Sequence, residues 1–373
     1  MNNVFIYKND DYNHLDETIN SIVENFKVLK NIKRGTKVVI KANLVSALAP
    51  EKNATTNYKL LASLTNYLLE NGCSVVIGDS PGGLFNKKHL DNIYKITKVN
   101  LTKVKLNDNY EVKNAIFSNA KVLKTFEYTA YLDDADLKIN FCKLKTHAMM
   151  LMSSAVKNLF GCIPGLLKTE YHYRYSNHKD FANMLIDLNE YFKFDINIVD
   201  AIYGMEGNGP TNGVSKKIGV VLASTNPYAL DYICAKIINL NPLDVLTISE
   251  SKKRGLFNEK QINLNISIND LIVKDFKNIN HVSDIKFYNN SLIGGFVKKV
   301  FENKPYCYKN KCVGCKKCAN ICPQKAIAMV NNKPKIDRNK CIKCYCCQEF
   351  CPVNAMRVKS SLLNRIINNK IKK

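Results

Sequence analysis

Residues 312–323 read Cys-Val-Gly-Cys-Lys-Lys-Cys-Ala-Asn-Ile-Cys-Pro, and residues 341–352 read Cys-Ile-Lys-Cys-Tyr-Cys-Cys-Gln-Glu-Phe-Cys-Pro. Both follow one spacing, C-x2-C-x2-C-x3-C-P, the run that wraps cuboidal 4Fe–4S clusters. The short gaps let three thiolates of one tight loop reach three corners of a cube. The fourth, turned away ahead of its proline, reaches the neighbouring cube. The spacing thus assigns Cys312, Cys315, Cys318 and Cys351 to one cluster, and Cys341, Cys344, Cys347 and Cys322 to another. A zinc ribbon pairs two C-x2-C knuckles across a longer loop and does not ask for the trailing proline. Cys307 and Cys346 are spare beside these runs. Cys73, Cys142, Cys162 and Cys234 have no ligand spacing and read as buried thiols.

Working outward, the two cysteine loops repeat with an offset of 29 residues, each followed by a short apolar stretch (Ala326 to Val330; Ala355 to Val358). Residues 305–358 therefore read as a small α+β ferredoxin-like domain carrying two 4Fe–4S clusters. Residues 291–304, with Gly294–Gly295, read as its linker. A basic tail follows from 359 to 373, in which Leu362, Leu363, Ile366 and Ile367 share one helical face.

Residues 1–290 carry a different pattern. Strand-like runs at Val4 to Tyr7, Lys37 to Lys41, Ser74 to Gly78, Asp136 to Leu144, Asn197 to Asp200 and Ile218 to Ala223 alternate with amphipathic stretches such as Asp16 to Leu29 and Asn57 to Glu70. Such alternation predicts an α/β fold, a Rossmann-like layered domain with a mostly parallel sheet, whose sites lie at the carboxyl ends of the strands.

Several runs in this part suggest chemistry. Gly78-Asp79-Ser80-Pro81-Gly82-Gly83 follows a strand directly and could turn backbone amides toward an anion. It lacks the lysine of a Walker loop, and no flavin or NAD fingerprint is present. Lys143, Lys145 and His147 alternate at the end of a strand, so their side chains share one face. They are candidates for catalysis on an anionic ligand, with His147 moving a proton. Lys41, Asn43, Asp79, Ser80, Lys157, Asn158 and Glu206 complete a candidate anion or substrate site. Asp200 and Glu206, around the glycine-rich run 204–210, could offer carboxylates to a metal or to proton transfer.

Lys41-Ala-Asn-Leu44, Thr55-Thr-Asn57, the Gly78 run, Lys143-Leu-Lys-Thr-His147, Val156-Lys-Asn-Leu-Phe-Gly-Cys-Ile-Pro164 and Gly204-Met-Glu-Gly-Asn-Gly-Pro210 occur in one order. Together they resemble the family known as domain of unknown function 362. The likeness covers about residues 1 to 260 and departs from the family pattern at Ala42 and Asn57. It implies an α/β domain that often carries a C-terminal two-cluster ferredoxin module. It names no reaction.

Composition narrows the function class. A hydrophobic fraction of 46% describes a folded chain rather than a disordered one. No apolar run approaches the roughly 18–20 residues that span a bilayer, and the first residues do not read as a signal peptide. With reduced thiols, this predicts a cytoplasmic protein. The formal charge is +23, and residues 302–373 hold 17 Lys or Arg against three acidic residues, a net of +14. Aromatic residues are not interleaved with the basic run, so no nucleic-acid module is read. The charge suits an acidic redox partner instead, a flavoprotein or a ferredoxin-dependent enzyme. Three functions remain open: an oxidoreductase passing single electrons to an anionic small molecule, a ferredoxin-type electron carrier with a partner- or metabolite-binding domain, and a cluster or metal delivery factor.

Overall fold

The computed structural model describes residues 2–279 and 303–359. Most of the expected linker, and the tail beyond Lys359, lie outside the described residues. The first strand, β1 (Asn2–Lys8), leads into α1 (Asp16–Asn25), α2 (Lys27–Lys30) and β2 (Lys37–Lys41). The single helix expected from Asp16 to Leu29 is broken at Phe26, which is extended (φ −121°, ψ 106°) so that its ring packs edge-on against Phe5. Next come α3 (Tyr58–Glu70), β3 (Ser74–Gly78), α4 (Lys87–Thr97) and β4 (Lys105–Leu106). A separate hairpin, β5 (Val112–Ile116) with β6 (Thr125–Thr129), precedes the central strand β7 (Leu137–His147).

From β7 the chain turns back as β8 (Leu151–Ser153) and continues through α5 (Ala155–Asn158), α6 (Leu167–Arg174) and α7 (His178–Phe192). Strand β9 (Ile196–Glu206) runs well past the expected Asp200, so the glycine-rich run begins inside it. Then follow β10 (Val214–Ser224), α8 (Pro227–Ile237), α9 (Leu246–Lys253) and β11 (Ile262–Leu264).

Nine of these strands form one sheet in the order β11-β1-β10-β9-β7-β2-β3-β4, with β8 paired to β7. Only β10 and β8 run against the rest. The fold is the expected α/β layering around a mostly parallel sheet. Alternating strand residues feed two cores. Val39, Cys142 and Leu144 face the side covered by α7 and α8; Val38, Ile40, Ile139 and Phe141 face α1, α3 and α4. Fully burying a Leu, Ile or Phe contributes about 1.5–3 kcal/mol, so both faces bind their helices firmly.

The C-terminal piece holds β12 (Lys304–Cys307), α10 (Lys317–Asn320), β13 (Ile327–Val330), β14 (Lys333–Ile336), α11 (Cys346–Glu349) and β15 (Met356–Lys359). Lys359, expected in the tail, closes β15. Strand β12 pairs with β15 and β13 with β14, both antiparallel.

Candidate functional site

Strands β2, β3, β7 and β9 are parallel neighbours or near neighbours, so Lys41, Gly78, His147 and Glu206 end at one edge of the sheet. One face of β7 is apolar as far as Phe141 and then becomes Lys143, Lys145 and His147, all essentially without solvent contact. Three ionisable side chains in a core must be paired or neutral. The structure supplies acceptors for both lysines. Lys143 Nζ donates to Asp200 Oδ2 (3.0 Å) and Tyr12 Oη (2.8 Å). Lys145 Nζ donates to Asn43 Oδ1 (2.6 Å) and Ala54 O (2.5 Å). Lys41 Nζ donates to Asp79 Oδ1 (2.6 Å), Ala42 O (2.9 Å) and Asn158 Oδ1 (3.2 Å).

Asn158 ties the network together. Its Oδ1 also accepts from Asn43 Nδ2 (2.7 Å), and its Nδ2 donates to Asn140 Oδ1 (2.8 Å). Helix α5, which carries Lys157 and Asn158, starts against Asp231, whose carboxylate accepts from the Ala155 and Val156 amides. Gly161 lets the next turn close over the Lys41–Asp79 pair, since a Cβ there would stand 2.1 Å from Asp79 Oδ1 and 2.3 Å from Lys41 Nζ.

The Gly78 run differs from its expected use. Ser80 N donates to Gly161 O (3.1 Å) and Gly82 N to Val45 O (3.3 Å), while Asp79 Oδ2 accepts from Leu44 N (2.7 Å). Two of the loop's amides therefore hold the loop itself. Asp200 is likewise engaged, accepting from Lys143, Tyr12 and Asn57 N. Glu206 accepts from the Lys277 amide (2.9 Å).

The cysteine-bearing module packs onto this edge. Gln348 Nε2 donates to Asn208 O (2.8 Å) and Gly209 O (3.1 Å), Thr211 Oγ1 donates to Glu349 O (2.9 Å), and Asn212 Nδ2 donates to Gln348 O (3.2 Å). Asn208 Nδ2 donates to Asn354 Oδ1 (2.8 Å). The glycine-rich run thus serves as the seat of the module. Phe350 lies over Gly82, where a Cβ would meet its ring at 2.6 Å.

Between the two parts lies a cavity of about 800 Å³. Lys41, Asn43, Asp79, Ser80, Lys145, Lys157 and Asn158 reach its wall; Lys143, His147 and Glu206 do not. Lys168, His172, Cys346, Glu349 and Phe350, absent from the expected set, also line it. Lys168 and His172 occupy one face of α6, four residues apart. Glu349 was hidden by its place inside a cysteine run.

Burial sets the protonation states. It pushes Lys145 and Lys168 down to about 7, helped by neighbouring lysines, and it also lowers Lys157 and Lys143. His147 falls to about 4 through burial and then Lys157, so its ring is neutral at pH 7. Its Nδ1 accepts from the Met149 and Met150 amides (3.1 and 3.2 Å), which puts the proton on Nε2. That nitrogen stands 2.9 Å from Glu349 Oε1, outside hydrogen-bond alignment. Burial works against the Glu349 charge, but the ring and Lys157 outweigh it and keep the carboxyl below its ordinary range.

Two smaller cavities sit inside the module. Cys312, Cys315, Cys318 and Cys351 line one; Cys322, Cys341, Cys344 and Cys347 line the other. The first takes three cysteines from one loop and Cys351 from the other; the second takes Cys322 from the first loop and Cys341, Cys344, Cys346 and Cys347 from the second. Among the described residues no three His, Cys, Asp or Glu side chains form a compact group for a single metal ion. The crossing thiols accept backbone hydrogen bonds: Ala326 N to Cys322 Sγ (3.3 Å) and Ala355 N to Cys351 Sγ (3.2 Å). Cys351 also lines the large cavity, and Cys346 lies on the wall of both the large cavity and the second ring.

Residues 38–236 match the family described as "Domain of unknown function (DUF362)", and residues 311–355 match the 4Fe-4S dicluster domain. The thylakoid-associated protein sll1697 of Synechocystis sp. is 29% identical over 231 residues, covering 60% of this chain and 70% of that protein. A crystal structure from Thermotoga maritima aligns with a TM-score of 0.41 at 11% identity, over 61% of this chain and 59% of that one. The lactate racemase apoprotein of Thermoanaerobacterium thermosaccharolyticum aligns with the same score and identity, over 63% and 57%. In both structures the match spans less than two thirds of the other chain. No helix among the described residues is long and apolar enough to cross a membrane. With its matched region spanning more than half its length, this chain belongs to the DUF362 family and carries a C-terminal 4Fe-4S dicluster domain.

Proposed function

We propose that this protein is an oxidoreductase that binds two 4Fe–4S clusters and uses them at the lysine-lined cavity, where an anionic small molecule sits. The single observation that carries the reading is the shared wall. Cys351 belongs both to a cysteine ring and to the large cavity, and Cys346 joins the cavity to the other ring. Cys312, Cys315, Cys318 and Cys351 would hold one cluster, and Cys341, Cys344, Cys347 and Cys322 the other. Bound clusters supply single electrons at low potential.

The chain's own residues set up the rest. Lys145, Lys157 and Lys168 attract the anion into the cavity. Lys145 and Lys168, poised near pH 7, hold protons that a reduced ligand could take, in the manner of a general acid. Lys143 and His147 support this wall from beneath. Electrons enter on the outer side, where Val313 and Cys315 are exposed. Lys309, Lys311 and Lys316 around that loop favour an acidic redox partner, a flavoprotein or a ferredoxin-dependent enzyme. Such clusters suit the reducing cytoplasm.

Protein purified without oxygen should carry roughly eight iron and eight sulfide per chain, the content of two such clusters. Titration with small carboxylates and phosphate should raise its melting temperature, and Lys145→Met should abolish that rise while leaving the iron content intact. A carrier without a substrate site would show the iron and no anion response. A delivery factor would lose its iron to an acceptor apo-protein.

A further inference from the structure

We propose that the ligand of the large cavity is a monoanionic carboxylate with an apolar, ring-sized body. The inference rests on the anion-binding reading above and narrows it. Lys41, Lys145 and Lys168 already donate to protein oxygens. Lys157 is different: its ammonium reaches the cavity, lies 5.6 Å from the Phe160 ring centroid, and has no hydrogen-bond or ion-pair partner among the described residues. An ammonium that faces the cavity with no protein acceptor is open to one supplied by a ligand.

His172 gives a second, independent sign. The side chain is almost wholly buried in the same wall, stacked on Phe181 at 4.5 Å, and its Nδ1 has no partner among the described residues. A buried nitrogen left unpaired costs about 1–3 kcal/mol, and the ring that carries it lines the cavity. The remaining wall is largely apolar: Val45, Leu48, Phe160, Leu166, Pro210 and Phe350. A cavity of about 800 Å³ is ample for a ring and a short side chain.

Two features disfavour a phosphate. The Ser80 and Gly82 amides, which a phosphate cradle would use, donate to Gly161 O and Val45 O. A second negative charge on the ligand would also share the cavity with the Glu349 carboxylate.

The test uses the full chain purified without oxygen, with calorimetric titration of 3-phenylpropionate, its neutral amide, acetate and inorganic phosphate. The proposal expects 3-phenylpropionate to bind at least about tenfold more tightly than each of the other three, the worth of one charge-assisted hydrogen bond or of the buried ring. Lys157→Met should remove that advantage over the amide, and Lys157→Arg should restore part of it. Both variants should keep the visible cluster absorbance, which reports folding. Phosphate binding best, or 3-phenylpropionate matching acetate, overturns the proposal and leaves the anion site standing. An unchanged preference in Lys157→Met places the carboxylate elsewhere and also overturns it. No binding of any anion overturns both readings.

Discussion

His147 Nε2 lies 2.9 Å from Glu349 Oε1, so the last residue of β7 touches the turn between Cys347 and Cys351. The contact joins the α/β edge to the cysteine module at the floor of the large cavity. Removing either side chain should weaken the seat of the module, which the Gln348 and Thr211 hydrogen bonds otherwise hold. A double-mutant cycle of His147→Ala and Glu349→Ala, read by thermal or denaturant unfolding, should give a coupling energy of about 1 kcal/mol, as residues in direct contact do. A cycle that closes at zero would show two side chains that merely adjoin.

The Lys41–Asp79 pair offers a sharper contrast. Both side chains are almost wholly buried, with Nζ and Oδ1 2.6 Å apart. Removing one partner strands the other charge, which costs about 3–5 kcal/mol. Lys41→Met and Asp79→Asn should each cost that much in urea unfolding. The double variant should cost less than the sum, because no charge is left uncompensated. Gly161→Ala should resemble Asp79→Asn, since its Cβ would intrude on the same two atoms.

The pH dependence follows from Lys145 and Lys168, both lowered to about 7 by burial. Anion binding needs the ammonium form, so affinity should weaken as pH rises above about 7, by up to tenfold per unit for each lysine that must take up a proton. Folding moves the other way. The folded-state pKa lies below the unfolded one, so the unfolded chain binds more protons between about 7 and 10.5, and stability rises with pH across that window. Calorimetry and denaturant titration on the same samples would show the two trends diverging. Lys145→Met should flatten both.

How much of this was legible in the sequence differs by element. The cysteine rings were readable because spacing within a tight loop dictates which thiols can converge. The strand alternation was readable because buried parallel strands keep near-continuous apolar runs. The helix break at Phe26 was not, since it answers to Phe5, a residue distant in the chain. Lys143 and Lys145 stand out in the sequence as lysines on one face of a strand, yet only the fold shows their difference. Lys143 turns to Asp200 on the neighbouring strand, whereas Lys145 reaches the cavity. Lys168, His172 and Glu349 carry no local signal, because the wall they share forms only when the cysteine module docks. The glycine-rich run at the end of β9 reads as a site from its composition, and it is the seat of that module.

The crossing of the fourth cysteines gives the most direct test of the iron–sulfur reading. Cys351 follows Cys347 by four residues, but they line different rings: Cys351 stands with Cys312, Cys315 and Cys318, and Cys347 with Cys322, Cys341 and Cys344. Cys351→Ala and Cys315→Ala should therefore damage the same cluster, although 36 residues separate them in sequence. Cys347→Ala and Cys322→Ala should damage the other. Each variant should lose about half of roughly eight irons, the content of two such clusters. Within each pair, the electron paramagnetic resonance spectrum of the reduced protein should show the same surviving signal. The signal should differ between the pairs, because Cys351 Sγ accepts from the Met356 amide as well as from Ala355 N, the counterpart of Ala326 N on Cys322 Sγ. If Cys351→Ala instead matched Cys347→Ala, each loop would hold its own cluster, and the exchange of ligands between the halves would be ruled out.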